Sequence, residues 1–172
     1  EVKDLKGKRL GIVVGSPALS QGVIALIGFG GLSEKDMTPV QFSSNNAMWK
    51  GLINNEVDAV LTSTISGQSK EADNSPRGIM FPPMPATDKE GWARVHKKAP
   101  YFVPVKATCG AGGLSPQTPV EMAGYAYPIF MTYADRPADT IYAITKAMID
   151  TFDAYKGGAP GAEGMALSLQ NL

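Results

Sequence analysis

Two loops rich in small polar residues are the parts of this sequence best suited to binding chemistry. The first spans residues 15–20 and the second spans residues 62–66. Hydroxyl groups both donate and accept hydrogen bonds, so a cluster of them can hold a small polar ligand without imposing a charge. Each loop could instead only cap a following helix, and that alternative stays open for both. The candidate ligand-binding residues in these loops are Gly15, Ser16, Ser20, Thr62, Ser63, Thr64 and Ser66.

A third candidate loop, residues 108–113, begins with Thr108 and is rich in glycine. Glycines let the backbone approach a ligand closely. The loop also holds the only cysteine, Cys109, and a cysteine nucleophile needs a neighbouring base. The only histidine, His96, lies among basic residues typical of a solvated helix end. Catalysis by this pair is therefore disfavoured, and Cys109 is interpreted as a small, semi-buried thiol.

Signature motifs of common catalytic and cofactor sites are missing from the sequence. The loop at residues 15–20 is neither a G-x-G-x-x-G dinucleotide fingerprint nor a phosphate-binding P-loop, and no G-x-S-x-G hydrolase elbow occurs. One histidine and one cysteine are too few for most zinc sites and for any internal disulfide. The case for an enzyme is therefore weak.

Alternating apolar runs and helical patterns indicate the elements that position these loops. Short apolar runs predict buried strands, and the segments between them predict helices, which together favour a mainly parallel α/β sheet. In such a sheet the loops that follow strands lie at one edge, where ligands bind. The first helix would also direct its N-terminus, with free N–H groups, toward that edge. Strands are predicted at 10–14, 40–42, 57–61 and 78–81, and helices at 23–27, 47–53 and 88–97.

Beyond residue 100 the strand–helix alternation breaks. An extended segment over 101–105 leads into a glycine- and proline-rich stretch, 106–119, predicted as a loop or a crossing between lobes. A long aromatic strand is predicted over 122–134, and the strongest helix over 139–152. Trp49 and Trp92 are predicted packing residues, Asp58 a surface residue, and Asn45 or Asn46 and Asp88 helix caps.

Length and charge limit the class of protein further. The 172 residues suit one domain or two small lobes. The 16 basic and 16 acidic residues cancel, so the basic face expected of a nucleic-acid binder is not indicated. No apolar run approaches the roughly 18 residues of a membrane span, so no membrane insertion is expected.

Several stretches in order resemble a family of transport proteins. Residues 4–10 (DLKGKRL) and 51–60 (GLINNEVDAV) resemble the second lobe of two-lobed type II periplasmic solute-binding proteins. Residues 101–104 (YFVP), 129–132 (IFMT) and 137–147 (PADTIYAITKA) are similar to the TAXI family, close to the NMT1-like group. TAXI proteins are the substrate-binding subunits of tripartite ATP-independent periplasmic (TRAP) transporters.

The resemblance implies a periplasmic protein that closes two lobes on a small carboxylate or amino acid and passes it to permease subunits. It implies no cofactor and no catalysis. Residues 1–103 would form lobe two, 104–121 the hinge crossing, and 122–172 a return to lobe one. The start at the entry to lobe two suggests a fragment or a naturally shortened relative.

The resemblance also places ligand contacts in the loop matching residues 15–21, which adds Gln21 to the candidates, and in the segment 62–66. Leu19 and Gln21 stand where the family usually has smaller or hydroxylated residues, so a bulkier, less charged or aromatic-tolerant ligand is an alternative. A small Rossmann-like α/β enzyme and the ligand-sensing domain of a regulator are the other interpretations. The regulator would need a DNA-binding helix-turn-helix, which the sequence does not contain.

Overall fold

The structure, a computed structural model, describes residues 1–125, 131–158 and 162–169. The chain divides into two compact units, residues 1–125 and residues 126–172. The assignment of 1–103, 104–121 and 122–172 to lobes and a hinge stays a prediction.

The first unit contains four strands and four α-helices. The chain begins with a short 3-10 turn, Val2–Leu5, and further 3-10 turns lie at Gly28–Gly30 and Glu34–Asp36. The strands are β1 (Arg9–Val13), β2 (Thr38–Phe42), β3 (Val103–Ala107) and β4 (Val120–Gly124). The helices are α1 (Pro17–Ile27), α2 (Asn45–Ile53), α3 (Gly67–Asp73) and α4 (Lys89–His96).

Strand β1 is the centre of the parallel part of the fold. It pairs with β2 in parallel, from Arg9 opposite Thr38 to Val13 opposite Phe42. On its other side it makes a single parallel bridge from Leu10 to Ala59. The predicted strands at 10–14 and 40–42 are therefore confirmed, whereas the predicted strand at 57–61 is reduced to this bridge.

The expectation of a mainly parallel sheet is only partly met. Strands β3 and β4 form a separate antiparallel pair, with Val105 opposite Met122. The predicted strand at 78–81 is wrong, because this segment has no strand pairing and runs without regular structure into the Pro82-Pro83 bend. Proline lacks the N–H that a sheet ladder needs, and it restricts the residue before it as well. The result is a mixed α/β unit with one short parallel and one short antiparallel sheet.

Helix termini follow local capping chemistry. The side chain of Asp88 accepts a hydrogen bond from the Gly91 N–H at 2.8 Å, which confirms the predicted cap of α4. Helix α2 is capped by Ser44, whose Oγ accepts from the Ala47 N–H at 3.2 Å. The prediction of Asn45 or Asn46 as that cap is wrong, because both already belong to the helix.

Two apolar clusters hold the first unit together. The larger one joins α1 to α4, where Phe29 packs edge-on against Trp92 with ring centroids 5.6 Å apart. The smaller one lies between β1 and α1 around Leu10, which is completely buried. Trp49 and Trp92 are 3% and 4% exposed, so both are packing residues as predicted.

The regular secondary structure described in the second unit is helical. Helix α5 (Ala138–Asp150) is followed after Thr151 by the short α6 (Phe152–Tyr155), so the predicted helix 139–152 is confirmed except at its end. The Tyr155 hydroxyl donates to the Met148 carbonyl at 3.0 Å and holds the two helices together. A strand was predicted over 122–134. Its first part is formed as β4, and residues 131–134 are not in a strand. Residues 126–130, with Tyr127 and Phe130, lie outside the described residues.

A charged clamp ties the start of β1 to the segment after α2. Arg9 donates to the Asp58 carboxylate from its backbone N–H at 2.9 Å, from Nε at 3.0 Å and from Nη2 at 2.7 Å. Arg9 also donates to the carbonyl of Asn55 at 2.6 Å, and Arg77 Nη2 lies 3.9 Å from Asp58. The side-chain and backbone hydrogen bonds from Arg9 hold the pKa of Asp58 well below its usual range. Asp58 is thus a half-buried residue with a structural role, which its prediction as a surface residue did not include.

Replacing Asp58 by Asn is expected to lower the free energy of unfolding at pH 7 by roughly 1–2 kcal/mol, because charge-assisted hydrogen bonds are lost from a partly exposed group. A carboxylate whose pKa is lowered by folding stabilises the protein above the pKa of the unfolded chain, about 4, and this contribution is lost as the pH falls further. The wild type should therefore lose stability below about pH 4 more steeply than Asp58→Asn. Urea unfolding at several pH values measures both effects.

The matched control is Asp135→Asn, which makes the same chemical change in an exposed pair with the neighbouring Arg136. Exposed pairs contribute little to stability, so this variant should unfold like the wild type. Equal stability of Asp58→Asn and Asp135→Asn at pH 7 would show that the clamp does not stabilise the fold.

Candidate functional site

The first predicted loop joins the end of β1 to α1. Ser16 occupies the N-cap position, but its side chain makes no capping hydrogen bond, and Pro17 begins the helix. The Ser20 hydroxyl points back to the carbonyls of Val13 and Ser16, each 3.3 Å away. Gly15 and Gln21 are exposed, whereas Ser16 and Ser20 are half-buried. The Ser20 hydroxyl is therefore used in internal hydrogen bonds, whereas the Ser16 hydroxyl makes no capping hydrogen bond.

The second predicted loop forms a network of hydroxyl groups around a serine that was not predicted. Ser69, on α3, is completely buried, and its Oγ lies 2.7 Å from Ser66 Oγ and 3.1 Å from Thr62 Oγ1. Ser69 also donates to the carbonyl of Ser63. Ser66 caps α3 by accepting from the Ser69 N–H at 3.0 Å. The capping alternative is thus confirmed for Ser66, and Ser69 ties the whole loop together.

The sequence contained a signal for Ser69. Its position three residues after Ser66 is the spacing at which an N-cap side chain meets a helix N–H. Helix α3 itself was not predicted because its seven residues, GQSKEAD, carry no apolar periodicity.

The third predicted loop is held against the second. The Ala111 N–H donates to the carbonyl of Thr64 at 2.8 Å, and the Gly112 N–H donates to the Asp73 carboxylate at 2.9 Å. Gly110, with φ of +112°, passes so close to Thr64 that a Cβ there would collide with its carbonyl group. Thr108 is exposed, and Cys109 is exposed as well, so the prediction of a semi-buried thiol is wrong.

The first and second loops leave the same edge of the parallel sheet. Leu10 is bridged in parallel to Ala59, so Val13 and Thr62, each three residues further on, emerge on the same side. Helix α1 also lies directly against the end of the second segment, since a Cβ on Gly22 would stand 2.9 Å from Leu61 Cδ2. The structure thus places residues 15–21 and 62–66 at the same end of the parallel strands and holds loop 108–113 against segment 62–66.

Thr62 also borders a cavity of about 710 Å³ within the first unit. It is the only one of the nine predicted site residues on the cavity wall. The sequence did not predict the cavity, because segments 57–61 and 78–81, which contribute to its wall, have the composition of buried strands. Apolar wall residues include Leu61, Ile79, Phe81, Phe102 and Met122.

The described residues place no charge among the predicted site residues. Across residues 1–125, 131–158 and 162–169, no group of three or more His, Cys, Asp or Glu side chains is arranged to hold a metal ion. Helices in the same ranges are all too short or too polar to cross a bilayer. The nine predicted site residues offer hydrogen bonds and close backbone approach, and Thr62 adds contact with the apolar cavity wall.

Comparison with known proteins places the chain in a family. It matches the NMT1-like family over residues 1–171 and belongs to that family. The family is periplasmic binding protein-like and is associated with solute-binding proteins. No curated protein matches the chain.

Replacing Gly110 by Ala should destabilise the site more than the same change at Gly113. Both glycines have positive φ, +112° and +71°, so both substitutions carry backbone strain, roughly 1–2 kcal/mol at Gly113 and more at Gly110, whose φ lies outside the left-handed region that other residues can adopt. Only at Gly110 does the added methyl group meet the Thr64 carbonyl, and overpacking of this kind adds about 1–3 kcal/mol. Urea unfolding of both variants measures the difference.

Gly113→Ala is the matched control, because no heavy atom lies within 4 Å of a Cβ at that position. Hydrogen exchange of the Ala111 amide should accelerate in Gly110→Ala only. Unchanged exchange there would contradict the contact between the two loops.

Proposed function

We propose that this protein captures a small organic solute, a carboxylate or an amino-acid-like compound, and delivers it to the membrane permease of a TRAP-type transporter. The capture would take place in the periplasm and involve no cofactor. Membership of the NMT1-like family supports solute binding, and the resemblance to TAXI proteins supports the transporter.

The observation that carries the proposal is the meeting of polar loops at one edge of the parallel sheet. Loop 15–21 and segment 62–66 follow β1 and its bridged neighbour, and loop 108–113 is bonded to Thr64. Ligands of open α/β folds bind at the carboxyl ends of strands, where helix N-termini present N–H groups. Hydroxyl groups and amides at this edge suit a polar solute group without requiring a covalent step.

Binding without catalysis is supported by the surroundings of the two candidate catalytic residues. His96 Nε2 lies 2.9 Å from the Phe102 carbonyl oxygen, which occupies that ring nitrogen. Cys109 is exposed in the glycine-rich loop. A cysteine nucleophile would need a base within hydrogen-bonding distance, and His96 is engaged elsewhere.

The test is a screen of dicarboxylates, amino acids and aromatic acids against the 172-residue chain, by thermal shift and calorimetry. A solute that binds only the folded state must raise the melting temperature. Thr64→Val, which removes one hydroxyl and keeps the side-chain shape, should weaken binding of the best solute roughly 2- to 12-fold, the value of one hydrogen bond.

Thr87→Val is the matched control, since Thr87 is exposed before α4 and outside the three loops. It should bind the solute like the wild type. A complete lack of thermal shift across the panel would refute solute binding. Saturable turnover that Cys109→Ser abolishes would refute a purely binding role.

A further inference from the structure

The cavity bordered by Thr62 has the size of a ligand site. Its volume of about 710 Å³ falls within the range of about 300–1,000 Å³ that small-molecule sites occupy. Wall residues Met80 and Tyr125 are 71% and 53% exposed, so the cavity opens to solvent on their side.

The wall is mostly aliphatic and aromatic. Val60, Leu61, Ile79 and Phe81 are only half-buried although all four are apolar, because segments 57–61 and 78–81 do not form the strands that their composition favours. Water against such a wall is unfavourable, and an apolar group that displaces it gains free energy in proportion to the area covered.

Within the first unit, the wall offers no unpaired cation to a second carboxylate of a ligand. No lysine is among the described residues of the wall, and its arginine, Arg77, lies 3.9 Å from Asp58, which Arg9 also binds. Glu1 lies 2.7 Å from Lys3.

We propose that the solute has one polar end and an apolar body, as in aromatic or medium-chain aliphatic monocarboxylates. The polar end lies at Thr62, whose hydroxyl is the one in segment 62–66 on the cavity wall and would turn from the Ser63 carbonyl, 3.2 Å away, to donate to the solute. The body fills the cavity beside Leu61 and Phe81. This inference rests on the proposed function, because it describes the solute of the same site.

Calorimetry on the full 172-residue chain tests the inference with butyrate, octanoate, phenylacetate, succinate and glutamate as probes. Each CH₂ buried in the cavity should tighten binding about fourfold. Octanoate should therefore bind at least tenfold more tightly than butyrate, and phenylacetate more tightly than succinate or glutamate.

A variant that narrows the cavity provides the second arm. Ala123 of β4 lies on the wall, so Ala123→Leu should weaken octanoate binding at least tenfold and leave butyrate binding unchanged within twofold. Ala93→Leu makes the same change at an exposed position of α4 away from the wall and should bind octanoate like the wild type. Thermal melts of both variants establish that they are folded.

The outcomes separate this inference from the proposed function. If succinate or glutamate binds most tightly and Ala123→Leu does not affect it, solute binding stands and the apolar body is refuted. If Ala123→Leu raises the melting temperature while octanoate binds unchanged, the cavity is a packing gap and the inference is also refuted. If none of the five probes binds, the inference is refuted, whereas the proposed function fails only if the whole panel of solutes also gives no thermal shift.

Discussion

The parallel alignment of β1 with its two neighbours is the constraint on which the rest of the first unit depends. Pairing with β2 and the bridge to Ala59 make the polypeptide leave the sheet on the same side after β1 and after residue 61. The Arg9–Asp58 clamp fixes the opposite end of this alignment, where both segments enter. Because a sheet register changes only in whole residues, a clamp at one end also determines which residues emerge at the other. The position of Thr62 relative to the start of α1 follows from that geometry.

Local chemistry then orders the emerging loops. Ser66 begins α3 by capping it, and buried Ser69 gathers the neighbouring hydroxyl groups into one network. Buried hydroxyl groups are costly unless they are hydrogen-bonded, so this network can adopt few other arrangements. Loop 108–113 contacts segment 62–66 through a hydrogen bond from the Ala111 N–H to the Thr64 carbonyl, and Gly110 permits the close approach of the two backbones. These hydrogen bonds, together with that from Gly112 to the Asp73 carboxylate, fix the positions of the polar groups in the second and third loops.

Sequence reasoning succeeded where one strong local signal decided the structure. Asp88 before an amphipathic stretch defined the start of α4, and the apolar runs that became β1 and β2 were found within one or two residues. It failed where non-local pairing decides, since an apolar run such as 78–81 is typical of a strand whether or not a partner is present. The candidate loops were predicted from residue types, and the spacing of Ser69 from Ser66 was a local signal that sequence reasoning overlooked. The contact between segment 62–66 and loop 108–113 joins residues more than forty positions apart, and no local pattern contains it.

The incomplete strand pairing of segments 57–61 and 78–81 explains why Thr62 borders an apolar cavity. Segments 57–61 and 78–81 have the composition of buried strands, and fully formed strands would pack their side chains against one another. With only the Leu10–Ala59 bridge formed, part of that apolar surface faces a cavity instead. A protein that closes on a solute needs surface that is incompletely satisfied before binding, because the free energy of binding comes from covering it. In the proposed binding mode, the hydroxyl groups at the edge would orient the solute, and the uncovered apolar wall would supply the larger share of the driving force.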